Sequence, residues 1–230
     1  MSRLLIHVEG ETEETFVNEM LSHHLYSRGF TQVSARIVGN ARLRHRRGGI
    51  RGWDSVRRDI VRHLRADIAA YNTTMVDYYA LPQSGAGAWP GRAEAAAQPT
   101  PSKASTVEEA LNADIQAEMG PGFFPNRFIP FVMIHEFEGL LFSDCATFSR
   151  AIGKPELESA LQEVRNAFDT PEDINDSPIT APSKRVKRLI PNYEKPLMGT
   201  LAIIDIGLER IRLECPHFND WLERLEAVVR

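Results

Sequence analysis

RLLIHVEGETEE (residues 3–14) sets an apolar run directly before an acidic, helix-forming segment. Leu4, Leu5, Ile6 and Val8 have the near-continuous apolar character of a parallel strand buried on both faces. Glu9 then stands at the strand's C-terminal end. Gly10 allows a sharp turn there and leaves a side-chain-free gap beside the carboxylate. Thr12 is the expected N-cap of a helix whose inner face carries Phe16, Val17, Met20, Leu21 and Leu25, with Glu13 brought back towards Glu9 in the first turn. Two readings follow. Glu9 and Glu13 share a cation, or Glu9 merely favours the helix N-terminus electrostatically while Glu13 is solvated. Ligands of open α/β sheets sit outside the carboxyl ends of the strands, which gives an acid at that place chemical weight.

The strand-then-helix pattern recurs. VSARIV (33–38) alternates as a second strand, TTMVDYY (73–79) reads as a third and FIPFVMI (128–134) as a fourth. Helices are expected from Trp53, with Val56, Ile60, Val61 and Leu64 inward, and from Ser105 or Thr106, with Val107, Ala110, Leu111, Ile115 and Met119 inward. The order β-α-β-α-β-α-β predicts an α/β fold with a mostly parallel sheet flanked by helices. Right-handed crossovers would bring the acids that end the first, third and fourth strands to one edge: Glu9, Asp77, and Glu136 or Glu138. Whichever of the last two points inward needs a counter-charge, and a metal ion is the simplest one. From Asp144 the pattern is mainly helical, so we divide the chain into an α/β core over 1–144 and a helical extension over 145–230 that packs on it. Its last helices, about 197–213 and 217–228, present Leu201, Ile204, Leu208, Ile211 and Phe218, Trp221, Leu222, Leu225 as apolar faces.

Composition is ordinary for a globular chain of 230 residues, with 43% hydrophobic and 25% charged residues. No apolar run approaches a membrane span and no leader pattern is present, so the expected compartment is the cytoplasm. Cys145 and Cys215 belong to no CxxC pattern and read as buried thiols. The net charge of −4 does not itself point to nucleic acid. Its distribution does: between residues 36 and 65 ten arginines face only Asp54 and Asp59, a local excess of eight positive charges. Arg42, Arg44, Arg46, Arg47 and Arg51 fall in a glycine-containing loop ending at Trp53, which suits a phosphate backbone and a stacked base; the alternative is a solvated helix face and loop. QSGAGAWPGRAEAAAQPTPSK (83–103) leaves directly from the third strand without periodicity and reads as a substrate-facing flap. A second basic cluster, SKRVKRLIPNYEK, ends at Lys195.

VEGETEE (8–14), VDYY (76–79) and HEFEGLLFSD (135–144), with Lys195, Pro196 and Gly199, together resemble the TOPRIM fold of topoisomerases, primases and overcoming-lysogenization-defect nucleases. The resemblance is closer to a bacterial TOPRIM-like family of unknown function often encoded beside ATPases. It covers nearly the whole chain. It implies a Mg2+ or Mn2+ site in which Glu9 is the TOPRIM glutamate, Glu13 the second acid of nuclease-type members and Asp77 the first acid of the DxD motif. Tyr79 stands where the second Asp would be. Glu136 or Glu138 would compensate. The implied activity is metal-dependent cleavage of DNA or RNA, with Glu9, Asp77, Glu136 and Glu138 as metal ligands, Glu13 orienting water and Lys195 neutralising charge on the phosphate. An ATPase partner, phage defence and a homodimer are expectations of the same kind. The alternative is a non-catalytic metal-binding module that binds nucleic acid or docks on an ATPase. His135 reads as a hydrogen-bonded structural residue.

Overall fold

A computed structural model describes residues 2–38, 50–175 and 180–229. In it the opening apolar run forms β1 (Arg3–Val8), which pairs on one side with β2 (Gln32–Ile37) and on the other with β3 (Ala70–Asp77), both parallel. The sheet order is β2-β1-β3-β4, with β4 (Phe128–Ile129) and β5 (Val132–Met133) both parallel to β3. The fold is thus α/β with a parallel sheet, as the β-α repeat predicts.

The fourth strand is one register broken in two. Asn72 faces Phe128 and Val76 faces Val132, so the ladder resumes in step after Pro130, which has no N–H to give. Thr74 bridges the interruption: its hydroxyl donates to Phe131 O at 2.9 Å and accepts from Phe131 N at 3.0 Å.

Two apolar cores lie on the two faces of the sheet. Leu4, Ile6 and Val8 belong to one, together with α1 (Glu11–Phe16), a π-helical turn over Val17–Leu21, α2 (Ser22–Arg28) and much of the C-terminal half. α2 closes at Gly29, which takes the left-handed φ of 115°. The other core gathers α3 (Trp53–Ala66), the four-residue α4 (Arg92–Ala95) and α5 (Thr100–Met119) around Val76 and Val132.

The C-terminal helices are α6 (Cys145–Ala151), α7 (Glu158–Asn166), α8 (Pro182–Leu189), α9 (Thr200–Ile206), α10 (Leu208–Glu214) and α11 (Pro216–Ala227). α11 packs on the sheet through Phe218, Trp221, Leu222 and Leu225. Trp221 stacks on Phe131 with ring centroids 4.5 Å apart and donates to Thr73 Oγ1 at 2.9 Å. Cys145 and Cys215 are free and buried. No helix among the described residues is long and apolar enough to cross a membrane.

Three expectations need correction. The segment expected as one helix over 197–213 bends at Gly207, whose φ is 81°. The bend changes which side faces inward: Ala202, Ile203, Ile206 and Ile211 are buried, whereas Leu201 and Ile204 are exposed. α5 begins at Thr100 rather than Ser105, with Pro101 in its first turn, where the missing N–H costs nothing. The segment read as a flap is anchored to the second core. Trp89 is buried against Trp53 and donates to Arg51 O at 3.0 Å, and the Arg92 guanidinium lies 3.9 Å from the centre of the Tyr78 ring and bonds to its carbonyl and hydroxyl. Gly91, at φ 73°, abuts α5 so closely that a Cβ would lie 2.7 Å from Thr106 O.

Candidate active site

Glu9 follows β1 directly, and Gly10 is the N-cap of α1. Gly10 is extended (φ −151°), so its value is room: a Cβ would lie 3.3 Å from Glu13 Oε2. That oxygen accepts the Gly10 N–H at 3.0 Å, the return half of a capping box, so Glu13 is fixed over the strand end. Thr12, the expected cap, lies inside the helix and is buried. Asp77 is the last residue of β3; its amide points at Glu9 Oε2 at 3.4 Å and its Oδ1 accepts Phe137 N–H at 2.9 Å. The second bond ties the end of β3 to a 3-10 segment, Phe137–Ser143, whose first turn carries Glu138.

Lys195 joins these elements. It opens a π-helical turn, Lys195–Gly199, and its Nζ lies 3.0 Å from Glu13 Oε1, 3.3 Å from Glu138 Oε2 and 3.6 Å from Asp77 Oδ2, with the Phe137 ring centre at 5.5 Å. Three carboxylates therefore surround one ammonium at the carboxyl edge of the sheet, with Glu9 alongside them at the Asp77 amide.

The electrostatic consequence is strong. Burial pushes the Glu9 carboxyl up to about 7, a rise that Lys195 opposes and Glu13 reinforces. Burial also raises Asp77 well above the ordinary carboxylate range and raises Glu138, again against the pull of Lys195. For Lys195 burial acts downward, but Asp77, Glu13, Glu138 and Glu9 outweigh it and hold the ammonium well above its ordinary value. With all four acids ionised one positive charge would not balance this pocket, and Glu9, Asp77 and Glu138 accordingly hold their protons more tightly than ordinary carboxyls.

The other residues singled out in the sequence fall as follows. Glu136 turns away from the pocket and accepts Ser183 N–H at 2.9 Å, capping the first turn of the basic helix α8. Arg42, Arg44, Arg46 and Arg47 lie outside the described residues, and Arg51 is partly buried beside the Trp89 anchor. The arginine excess of the neighbouring helix is smaller in space than in sequence, because Arg57 pairs with Asp54 and Asp114, Arg62 with Asp59, and Arg65 with Glu118.

His135 is structural in character. It stacks on Tyr79 at 5.2 Å, its Nδ1 lies 3.4 Å from Asn175 Nδ2, and burial pushes its pKa down to about 4, so it is neutral at pH 7. Its φ of 74° is rare for a residue with a side chain. Tyr79 hydrogen-bonds Asn175 through its hydroxyl.

Two residues escaped the sequence reading. Tyr193 lies beside the pocket, where Glu138, Lys195 and Glu13 all act on its phenol; its buried hydroxyl has no hydrogen-bond partner. Gly199 makes room for it, since a Cβ there would lie 2.7 Å from Tyr193 Oη and 3.9 Å from Lys195 Cγ. The compact NYEKPLMG run held the only signal. Glu172 is a buried acid outside the pocket, pushed up to about 7 by burial, whose oxygens accept His217 N–H at 2.9 Å and Phe218 N–H at 3.0 Å and so cap α11.

Does this pocket suit a divalent cation? The donor set is carboxylate oxygen throughout, which matches Mg2+ and Mn2+ and not a soft metal. Glu13 Oε1 is enclosed, and among the described residues it accepts no hydrogen bond and has Lys195 as its close counter-charge. Among the described residues no three His, Cys, Asp or Glu side chains form a ready-made metal cage; the acids surround the ammonium instead. The donor chemistry is that of a hard-cation site, and in the geometry described the Lys195 ammonium stands among the acids.

A family model described as "Domain of unknown function (DUF4276)" matches residues 8–226. Three solved structures, all of the "C-terminal region of the Xanthomonas campestris pv. campestris OLD protein", are similar over nearly the full length. One, phased with iodine, has 13% identity, covers 100% of this chain and 96% of its own, and gives a TM-score of 0.44. The mercury-phased structure has 14% identity, coverage of 100% and 97%, and a TM-score of 0.47. The platinum-phased one has 14% identity, coverage of 99% and 94%, and a TM-score of 0.46. No curated protein sequence matches the chain significantly.

Proposed function

The chain belongs to the DUF4276 family, and from that premise we propose that its acidic pocket holds Mg2+ or Mn2+ and hydrolyses phosphodiester bonds of DNA or RNA. The observation that carries this is the gathering of Glu9, Glu13, Asp77 and Glu138 around the single ammonium of Lys195. A hard divalent ion relieves the unbalanced negative charge. A phosphodiester substrate needs such an ion, because its own anion would otherwise be repelled.

In this reading Glu9, Asp77 and Glu138 hold the cation. When bound, it supplies Lewis-acid polarisation of the phosphate and lowers the pKa of water. Glu13 is held in place by the Gly10 amide, and its other oxygen, beside the Lys195 ammonium, would orient the attacking water and accept its proton. Glu136, engaged at Ser183, has no part. The arginines at 42–51 would follow the phosphate backbone without reading bases. Acting in the cytoplasm with an ATPase partner, in phage defence, is the setting that the family resemblance suggests.

The test pairs isothermal titration of Mg2+ and Mn2+ with cleavage assays on plasmid and transfer RNA, for metal-stripped wild type, Asp77→Ala and Glu9→Ala. We expect binding and cleavage by the wild type only, with nucleic-acid affinity kept in Glu9→Ala. Absence of metal binding by the wild type, with nucleic acid present, refutes the proposal. One observation favours the non-catalytic alternative: Tyr79 occupies the second acid position and spends its hydroxyl on Asn175. Metal binding without cleavage by the wild type would select that reading.

A further inference from the structure

We propose that Lys195 is this pocket's second cation, supplied by the chain itself, so that the site takes one divalent ion per chain rather than the pair used by two-metal phosphodiesterases. The inference rests on the functional reading above, which makes the pocket a divalent-cation site.

Three observations carry it. First, Lys195 is built into the site rather than reaching over it. Its Nζ is within ion-pair distance of Glu13, Glu138 and Asp77, and its stem runs beside Gly199, where Tyr193 Oη fills the space a side chain would need. Its backbone is held in a π-helical turn that leads directly into α9.

Second, the four acids are not equivalent. Glu9 makes no ion pair with Lys195; its Oε2 is turned to the Asp77 amide at 3.4 Å. Glu9 and Asp77 thus form the side of the pocket left for a divalent ion, Glu138 stands between that side and the ammonium, and Glu13 is the ammonium's closest partner.

Third, the end of β3 offers one acid rather than two. Two residues beyond Asp77 stands Tyr79, whose hydroxyl is hydrogen-bonded to Asn175 and whose ring is stacked on His135. Four carboxylates with one ammonium and one divalent ion leave a slight negative excess. A second divalent ion would reverse that sign and press three cations together.

The experiment counts Mn2+ bound to the metal-stripped full chain, by isothermal titration and by electron paramagnetic resonance, in wild type, Lys195→Met and Lys195→Arg. The expected result is one Mn2+ per chain for wild type and Lys195→Arg. For Lys195→Met we expect either two ions with spin coupling between them or one ion bound about tenfold more tightly, since a cation is removed from its neighbourhood.

A wild type that binds two coupled ions overturns the proposal, whether or not Lys195→Met folds. So does a folded Lys195→Met that binds one ion no more tightly than the wild type. A wild type that binds no Mn2+, with or without an oligonucleotide, overturns the metal reading itself and this inference with it. The number of ions therefore separates failure of the inference from failure of the reading beneath it.

Discussion

Glu9→Gln should make the metal-free protein more stable, and only above a definite pH. Glu9 ionises near pH 7 in the folded chain because burial penalises its charge, against an ordinary value of 4.5. Its folded value is raised, so the folded state holds the proton more tightly than the unfolded one. Below about pH 4.5 both states are protonated and no penalty exists. Between 4.5 and 7 the folded state must give up a proton it prefers to keep, and stability falls. Above 7 the loss is complete, and the two values correspond to about 3 kcal/mol. Because Asp77 and Glu138 are raised in the same pocket and couple to Glu9, about half of that is expected for a single substitution.

Glutamine keeps the oxygen that faces the Asp77 amide and removes only the charge. For a chain of 230 residues a gain of about 1.5–3 kcal/mol raises Tm by roughly 3–12 °C. Thermal unfolding of metal-stripped wild type and Glu9→Gln at pH 4.5 and pH 8 measures it, with the gain present at pH 8 and absent at 4.5. Added Mg2+ should narrow the gap at pH 8 by stabilising the wild type more. A variant less stable at pH 8, or equally shifted at both pH values, would refute the reasoning, because Glu9 would then be a net favourable partner of Lys195.

Further outcomes follow from the supporting contacts. Gly199→Ala puts a methyl 2.7 Å from Tyr193 Oη, so it should lower stability by about 1–3 kcal/mol. Tyr193→Phe in the same chain should restore most of the loss in a denaturant titration; no rescue would place the clash elsewhere. Glu172→Ala strips the acceptors from the His217 and Phe218 amides at the start of α11 and should cost about 2 kcal/mol in urea unfolding, leaving Mn2+ stoichiometry unchanged.

The opening residues were enough to anticipate the sheet. Leu4, Ile6 and Val8 alternate onto one core and force a buried strand, and parallel pairing then puts the residue after each strand at the same edge, so the neighbourhood of Glu9 and Asp77 was legible from pattern alone. The choice between Glu136 and Glu138 was not. Both follow β5 within a few residues, and it took the Asp77–Phe137 bond and the arrival of α8 to turn one inward and the other onto Ser183.

The Gly- and Ala-rich stretch after β3 shows no period, so its packing is invisible in the sequence. Its order comes from Trp89 meeting Trp53 and Arg92 meeting Tyr78, contacts between segments distant in sequence. A helical period read across Gly207 places Leu201 and Ile204 in the core, and the bend there turns them outward. The amino-acid sequence by itself determined the parallel sheet and the acids at its carboxyl edge, since strand periodicity and strand-end position are local properties. Only the tertiary structure decided which acids share a pocket and that Lys195, from the far end of the chain, supplies their counter-charge, because burial and charge pairing depend on which segments meet.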